Sequence, residues 1–102
     1  MPIGGWFSLR FEHYKSCLLG VNDGKVGLSQ TYGNHTLLQI TDFDGTWFRI
    51  KPKHDQGKWF NVEGGGKTAG LCIYHDKYDN SLFRVMNDDG NHFRLQNKQH
   101  QS

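Results

Sequence analysis

Thr31-Tyr32-Gly33-Asn34-His35 and Tyr74-His75-Asp76-Lys77-Tyr78-Asp79-Asn80 each mix aromatic rings with short polar side chains. Groups of these two kinds, side by side, suit a ligand with one apolar and one hydroxylated surface. A sugar ring is such a ligand. Aromatic rings stack on its C–H faces, and Asn, Asp and His exchange hydrogen bonds with its hydroxyls. The residues that carry this reading are Tyr32, Asn34 and His35 in the first segment. In the second they are Tyr74, His75, Asp76, Tyr78 and Asn80. Asn34, Asp79 and Asn80 are also ordinary turn formers, and Tyr74 reads equally as the end of a strand. Trp59, between Lys58 and the apolar Phe60, is the tryptophan expected to be exposed for stacking. Trp6 and Trp47 read as structural.

Other chemistries fit less well. Gly64-Gly65-Gly66-Lys67-Thr68 suggests a phosphate loop, but the motif needs Gly at position 61, which is Asn61, and no helix pattern follows. The six histidines, His13, His35, His54, His75, His92 and His100, form no H-x-x-x-H pair and read as single surface imidazoles. Asp42-Phe43-Asp44-Gly45 has the start of a calcium loop without its remaining ligands, and reads as a turn. Cys72 lies between Leu71 and Ile73, a setting that disfavours a thiolate nucleophile and reads as a buried free thiol. The expectation is a protein without catalysis, metal or cofactor.

The elements that must position these residues repeat. Gly5-Trp6-Phe7-Ser8-Leu9-Arg10 returns as Thr46-Trp47-Phe48-Arg49-Ile50-Lys51, an offset of 41, and again as Asn91-His92-Phe93-Arg94-Leu95 after a further 45. Cys17–Val21 matches Lys58–Val62 at offset 41. Val26-Gly27-Leu28 aligns with Ala69-Gly70-Leu71 at 43, and Thr36–Ile40 with Ser81–Val85 at 45. Each unit holds four short apolar runs. They are Trp6–Phe11, Cys17–Val21, Val26–Gln30 and Leu37–Thr41, then Trp47–Lys51, Trp59–Val62, Gly70–Tyr74 and Leu82–Met86, with a ninth starting at residue 92. The units span about 5–45, 46–90 and, in part, 91–97 of one domain covering residues 1–102. Asp23-Gly24, Asp44-Gly45 and Asp89-Gly90 are hairpin signals, and Gly64-Gly65-Gly66 is a further turn.

Composition agrees with short strands. Aromatics make up 14% and glycine 13 residues, whereas Ala occurs once and Glu twice, so strong helix formers are scarce. The net charge of +2 predicts neither a nucleic-acid nor a membrane partner. The densest basic stretch is Arg49, Lys51, Lys53, His54 and Lys58. Met1–Gly5 has no basic start and no apolar run follows, which points to the cytosol or to leaderless export.

Lys58-Trp59-Phe60-Asn61-Val62 resembles the second-strand motif of β-trefoil domains of the ricin-B and fascin type. Asn80-Ser81-Leu82-Phe83-Arg84-Val85, followed by Gly90, is similar to the fourth strand of the same leaf. The resemblance covers residues 5–97 and is closer to the fascin and hisactophilin branch, because no Gln-x-Trp signature of ricin-type lectins is present. It implies an all-β fold of about nine short antiparallel strands, two leaves and part of a third. A compact two-sheet β-sandwich of lectin type is the alternative. The resemblance also implies a sugar site at the loop between third and fourth strands, where the two aromatic segments fall. The expected function is carbohydrate binding, as a lectin or haemagglutinin of glycans or glycoproteins. Actin binding or protein interaction of the fascin or hisactophilin type is the alternative, and association into a homodimer would multiply the sites.

Overall fold

A computed structural model describes residues 4–64 and 70–100. Among these residues eight short strands form four antiparallel hairpins. Strand β1 (Leu18–Asn22) pairs with β2 (Lys25–Ser29), and β3 (Leu38–Thr41) with β4 (Arg49–Pro52). Strand β5 (Trp59–Glu63) pairs with β6 (Gly70–Tyr74), and β7 (Phe83–Met86) with β8 (Arg94–Asn97). Four separate two-stranded ladders are not two stacked sheets, so the sandwich alternative falls. Among the described residues the helical structure is confined to two 3-10 turns, Asn34–Thr36 and Asp79–Ser81.

The repeat of the sequence is a repeat of hydrogen-bond register. Leu18 faces Ser29 across the first hairpin, and Trp59 faces Tyr74 across the third. Leu38 faces Pro52, and Phe83 faces Asn97. Isolated bridges join Phe7 to Leu38 and Phe48 to Phe83. The third sequence block needs correction. Val21 pairs with Val26 and Val62 with Leu71, so Val26 corresponds to Leu71, an offset of 45 rather than 43. The extra residues lie between β5 and β6, not after β6. Gly64 is described, at positive φ, and the rest of the glycine-rich phosphate-loop candidate, residues 65–68, lies outside the described residues.

Nine apolar runs become eight strands. The first run, Trp6–Phe11, is extended but paired only at isolated bridges, Phe7 to Leu38 and Arg10 to Leu18. Too few consecutive pairs form there to make a ladder.

Turn chemistry follows the glycines and aspartates. Asp23 and Gly24 both have positive φ, as the tight two-residue hairpin between β1 and β2 demands. Asp44-Gly45 and Asp89-Gly90 instead lie inside longer loops. Asp44 accepts the backbone N–H groups of Thr46 and Trp47 on Oδ1, at 2.9 and 2.7 Å. Asp89 does the same for Asn91 and His92, at 2.9 and 2.6 Å. These fixed donors hold both carboxyls below the usual aspartate range.

Alternation places the core. Leu38 and Ile40 of β3 face inward, as do Ile50 and Pro52 of β4, while Gln39 and Lys51 lie between them in the register. Leu38, Ile40 and Ile50 form one cluster with Leu19, Val21, Phe48, Phe60, Ile73 and Phe83, against which Phe7, Leu9 and Phe11 pack. Complete burial of a side chain such as Phe60 contributes about 2–3 kcal/mol. Cys17 is buried and free. Cys72 is also free but only half-buried, a correction to the sequence reading: it shares a strand face with exposed Gly70 and Tyr74, while Ile73 on the opposite face enters the core.

Candidate functional site

Both aromatic segments lead from a hairpin into a 3-10 turn and then into β3 or β7. The turn is closed in each repeat by a buried hydroxyl. Thr36 Oγ1 donates to the Gly33 carbonyl at 2.9 Å, and Ser81 Oγ donates to the Tyr78 carbonyl at 2.7 Å. Sequence comparison aligns Thr36 with Ser81 but does not reveal this role, which depends on the folded turn.

In the first loop, the His35 ring turns inward. Its Nε2 lies 2.9 Å from Ser29 Oγ and 3.4 Å from Thr31 Oγ1. The ring packs so close to Gly33 that a Cβ there would stand 3.1 Å from Nδ1, so a side chain at this position would require the imidazole to shift by a few tenths of an ångström. Tyr32, 70% exposed, and Asn34 project outward. The first loop therefore presents one ring and one amide, with His35 acting from beneath.

The second loop gathers more. The Tyr74 and His75 rings have centroids 4.4 Å apart. Asp76 Oδ1 lies 3.6 Å from His75 Nε2, and Asp76 Oδ2 accepts the Tyr78 hydroxyl at 3.3 Å. The Asp76 charge, and then this hydrogen bond, raise the Tyr78 phenol above its ordinary pKa. Tyr78 is 57% exposed and Tyr74 39%. Four of the sequence-selected residues thus form one exposed chain of contacts: Tyr74, His75, Asp76 and Tyr78.

Asn80 does not join them. It is buried, and its Nδ2 donates to the Val62 carbonyl at 3.2 Å and to Glu63 Oε1 at 3.3 Å. Its backbone carbonyl accepts from Asn97 Nδ2 at 2.8 Å. Asn80 braces the loop from inside instead of offering its amide to solvent.

Trp59 also differs from expectation. Its indole Nε1 donates to Thr41 Oγ1 at 3.1 Å, and Lys77 Nζ sits 4.5 Å from the ring centroid. The ring is half-buried under these partners, and Trp6, 37% exposed, is more open than Trp59. Lys51 and Lys53 approach the Trp6 ring at 6.0 and 5.4 Å. The Trp47 ring is met by Arg84 at 4.9 Å and Lys98 at 5.7 Å.

Asp42, Arg49 and Lys77 support the second loop, and sequence reasoning missed their cooperation. Asp42 Oδ2 lies 3.1 Å from Lys77 Nζ and 3.4 Å from Arg49 Nη1. Arg49 also reaches Ser81 Oγ through Nε at 2.8 Å and the Tyr78 carbonyl through Nη2 at 3.4 Å. No local pattern signals such a network, because its members come from three separate segments. Asp42 and Asp44 are thereby committed to protein partners, and no group of three metal-type ligands occurs among the described residues. The basic stretch is partly neutralised too, with Arg49 on Asp42 and Lys58 3.3 Å from Asp55. Burial, and then the Glu63 charge, raise the Cys72 thiol above its ordinary pKa. Cys72 donates to Asn61 Oδ1 at 2.8 Å.

No protein-family model matches the chain, and no curated protein matches it. Among solved structures it is similar to a designed 3-fold symmetric protein, ThreeFoil, with a TM-score of 0.80 and 17% sequence identity. The match covers 94% of this chain and 74% of ThreeFoil. ThreeFoil is a β-trefoil, and the likeness shows that fold here. Among the described residues no helix is long and apolar enough to cross a membrane.

Proposed function

We propose that this β-trefoil chain is a non-catalytic carbohydrate-binding protein that holds glycans at the loops between third and fourth strands. The observation that carries the reading is the second loop. Tyr74 and Tyr78 offer exposed ring faces, while Asp76 and His75 between them offer hydrogen-bonding edges. The two rings suit the C–H face of a sugar, and the carboxylate and imidazole suit its hydroxyls. Tyr32 and Asn34 make a smaller equivalent in the first loop. Two weak sites on one chain favour clustered glycans, and a homodimer would add to that avidity.

A glycan array probed with labelled protein, with free sugar as competitor, tests the reading. Sugar-inhibitable binding that is lost in Tyr78→Ala supports it. No binding across a broad array overturns it and leaves a protein-interaction role, such as actin co-sedimentation would reveal.

A further inference from the structure

In this fold each fourth strand lies between two first strands. Strand β3 bridges Phe7 of its own repeat on one edge and pairs with β4 of the next repeat on the other. Strand β7 bridges Phe48 on one edge and pairs with β8 on the other. The backbone bonds on the first edge are reciprocal. Phe7 and Leu38 exchange N–H···O bonds at 2.9 and 2.7 Å, and Phe48 and Phe83 do so at 2.9 and 2.8 Å.

A third such position exists, flanked by Phe93 on one side and by residues 8–11 on the other. Phe93 stands where Phe48 stands one repeat earlier. Ser8 and Arg10 stand where Arg49 and Lys51 pair with β3. Among the described residues, neither Phe93 nor Ser8 nor Arg10 makes a backbone–backbone hydrogen bond at these edges. Between them is a concavity of about 440 Å³ whose apolar wall includes Leu9, Phe11, Leu19, Leu71, Phe93 and Leu95. Burial reports the same vacancy in the pattern: Phe48 is 5% exposed and Phe93 is 36%.

We infer that this groove is an acceptor for one extended strand of a partner polypeptide, taken up by backbone pairing on both edges. The two filled positions define the partner's chemistry. Its first residue is large and apolar, in the place of Leu38 or Phe83, facing Phe93 and Phe11. The next is polar and lies opposite Arg10, so a carboxylate or amide suits it. The third is apolar, in the place of Ile40 or Val85, opposite Leu9. Main-chain bonds supply affinity in such strand addition, and alternate side chains supply the selectivity. The continuity with two interfaces of identical register distinguishes this groove from the other large concavity, between Phe43, Phe48, Arg84 and Met86. That one has no comparable pair of free edges.

The test uses a capped synthetic peptide copying residues 80–88, titrated into the full chain labelled with 15N. Expected are saturable shifts at the amides of Ser8, Arg10 and Phe93, with slower hydrogen exchange there. A peptide carrying Asp in place of both Phe83 and Val85 should bind at least tenfold more weakly. Phe93→Ser should weaken binding by a similar factor. Leu71→Asp, at an exposed position on the groove wall, provides the same reading if Phe93→Ser does not fold. Absence of shifts at millimolar peptide overturns the inference, as does equal binding of the two peptides. Shifts centred on Phe48, Arg94 and Gln96 overturn it as well, because they mean displacement of β7. A concentration-dependent dimer that protects these amides and resists the peptide would assign the groove to a second copy of the chain instead.

Discussion

Arg49 donates from Nε to Ser81 Oγ at 2.8 Å, and that hydroxyl donates in turn to the Tyr78 carbonyl at 2.7 Å. A first strand is thereby tied to the turn that carries the aromatic loop. In the first repeat Thr36 closes the equivalent turn, but Ser8 occupies the place of Arg49, so no guanidinium depends on that hydroxyl. Removing the two hydroxyls should therefore have unequal costs. Ser81→Ala removes the acceptor of the charged Arg49 Nε donor, while the Tyr78 carbonyl keeps the Ser81 N–H and Arg49 Nη2, and is expected to cost about 2–3 kcal/mol. Thr36→Val leaves the Gly33 carbonyl its bond from the Thr36 N–H and unpairs only the neutral Gly33 N–H, with little change of shape, and should cost about 1 kcal/mol. Urea unfolding of the two variants measures this, and equal losses would contradict the relay through Arg49.

The tryptophans make an optical prediction. Trp6 is the exposed one and has Lys51 and Lys53 over its ring. A variant with Trp47→Phe and Trp59→Phe leaves Trp6 as the reporter. Iodide should quench it more strongly than caesium does, because the lysines concentrate anions, and salt should narrow the difference. Retaining only Trp59 should give weaker quenching by both ions. The reverse order would restore Trp59 as the solvent-facing ring.

These residues also mark what sequence makes legible. The repeated blocks indicate the strands and much of the register, since Leu18 against Ser29 becomes Trp59 against Tyr74. Tyr32 and Tyr78 are exposed as loop aromatics are expected to be. The misplacement of Val26 against Gly70-flanking residues arose because an insertion in a turn and one after a strand look alike in sequence. Trp59 and Asn80 were illegible for another reason. Lys77 and Thr41 cover the first, and Val62 and Glu63 bind the second, all through contacts distant in the chain. An Asn in a turn carries no mark of which way its amide points.

The paired aspartate loops predict a pH response with a definite sign. Backbone N–H groups of Thr46 and Trp47 lower the pKa of Asp44, and those of His92 and Asn91 lower that of Asp89. A carboxyl whose folded pKa is depressed contributes stability above its unfolded value of about 3.9. That contribution disappears as pH falls through the lower folded value. Carboxyl 13C titration should therefore place both midpoints below the ordinary range, while Asp44→Asn and Asp89→Asn should flatten the acid limb of stability. An unshifted midpoint at either residue would show that its loop is not closed by these bonds in solution.

Tyr78 and Asn80, two residues apart, should separate binding from folding. Tyr78 exposes its ring, and its hydroxyl donates to Asp76. Asn80 is buried and holds Val62 and Glu63. Tyr78→Ala is expected to leave the unfolding midpoint unchanged and to weaken glycan binding about fivefold, the scale of one lost aromatic contact. Tyr78→Phe keeps the ring and should keep most of the binding. Asn80→Ala should do the opposite. It removes the donors to two acceptors, costs about 1–3 kcal/mol of stability, and leaves affinity per folded molecule intact. Matched unfolding and glycan-titration curves for the three variants decide the matter. If Asn80→Ala weakens affinity as much as Tyr78→Ala while both remain folded, the ligand does not rest on the exposed face of this loop.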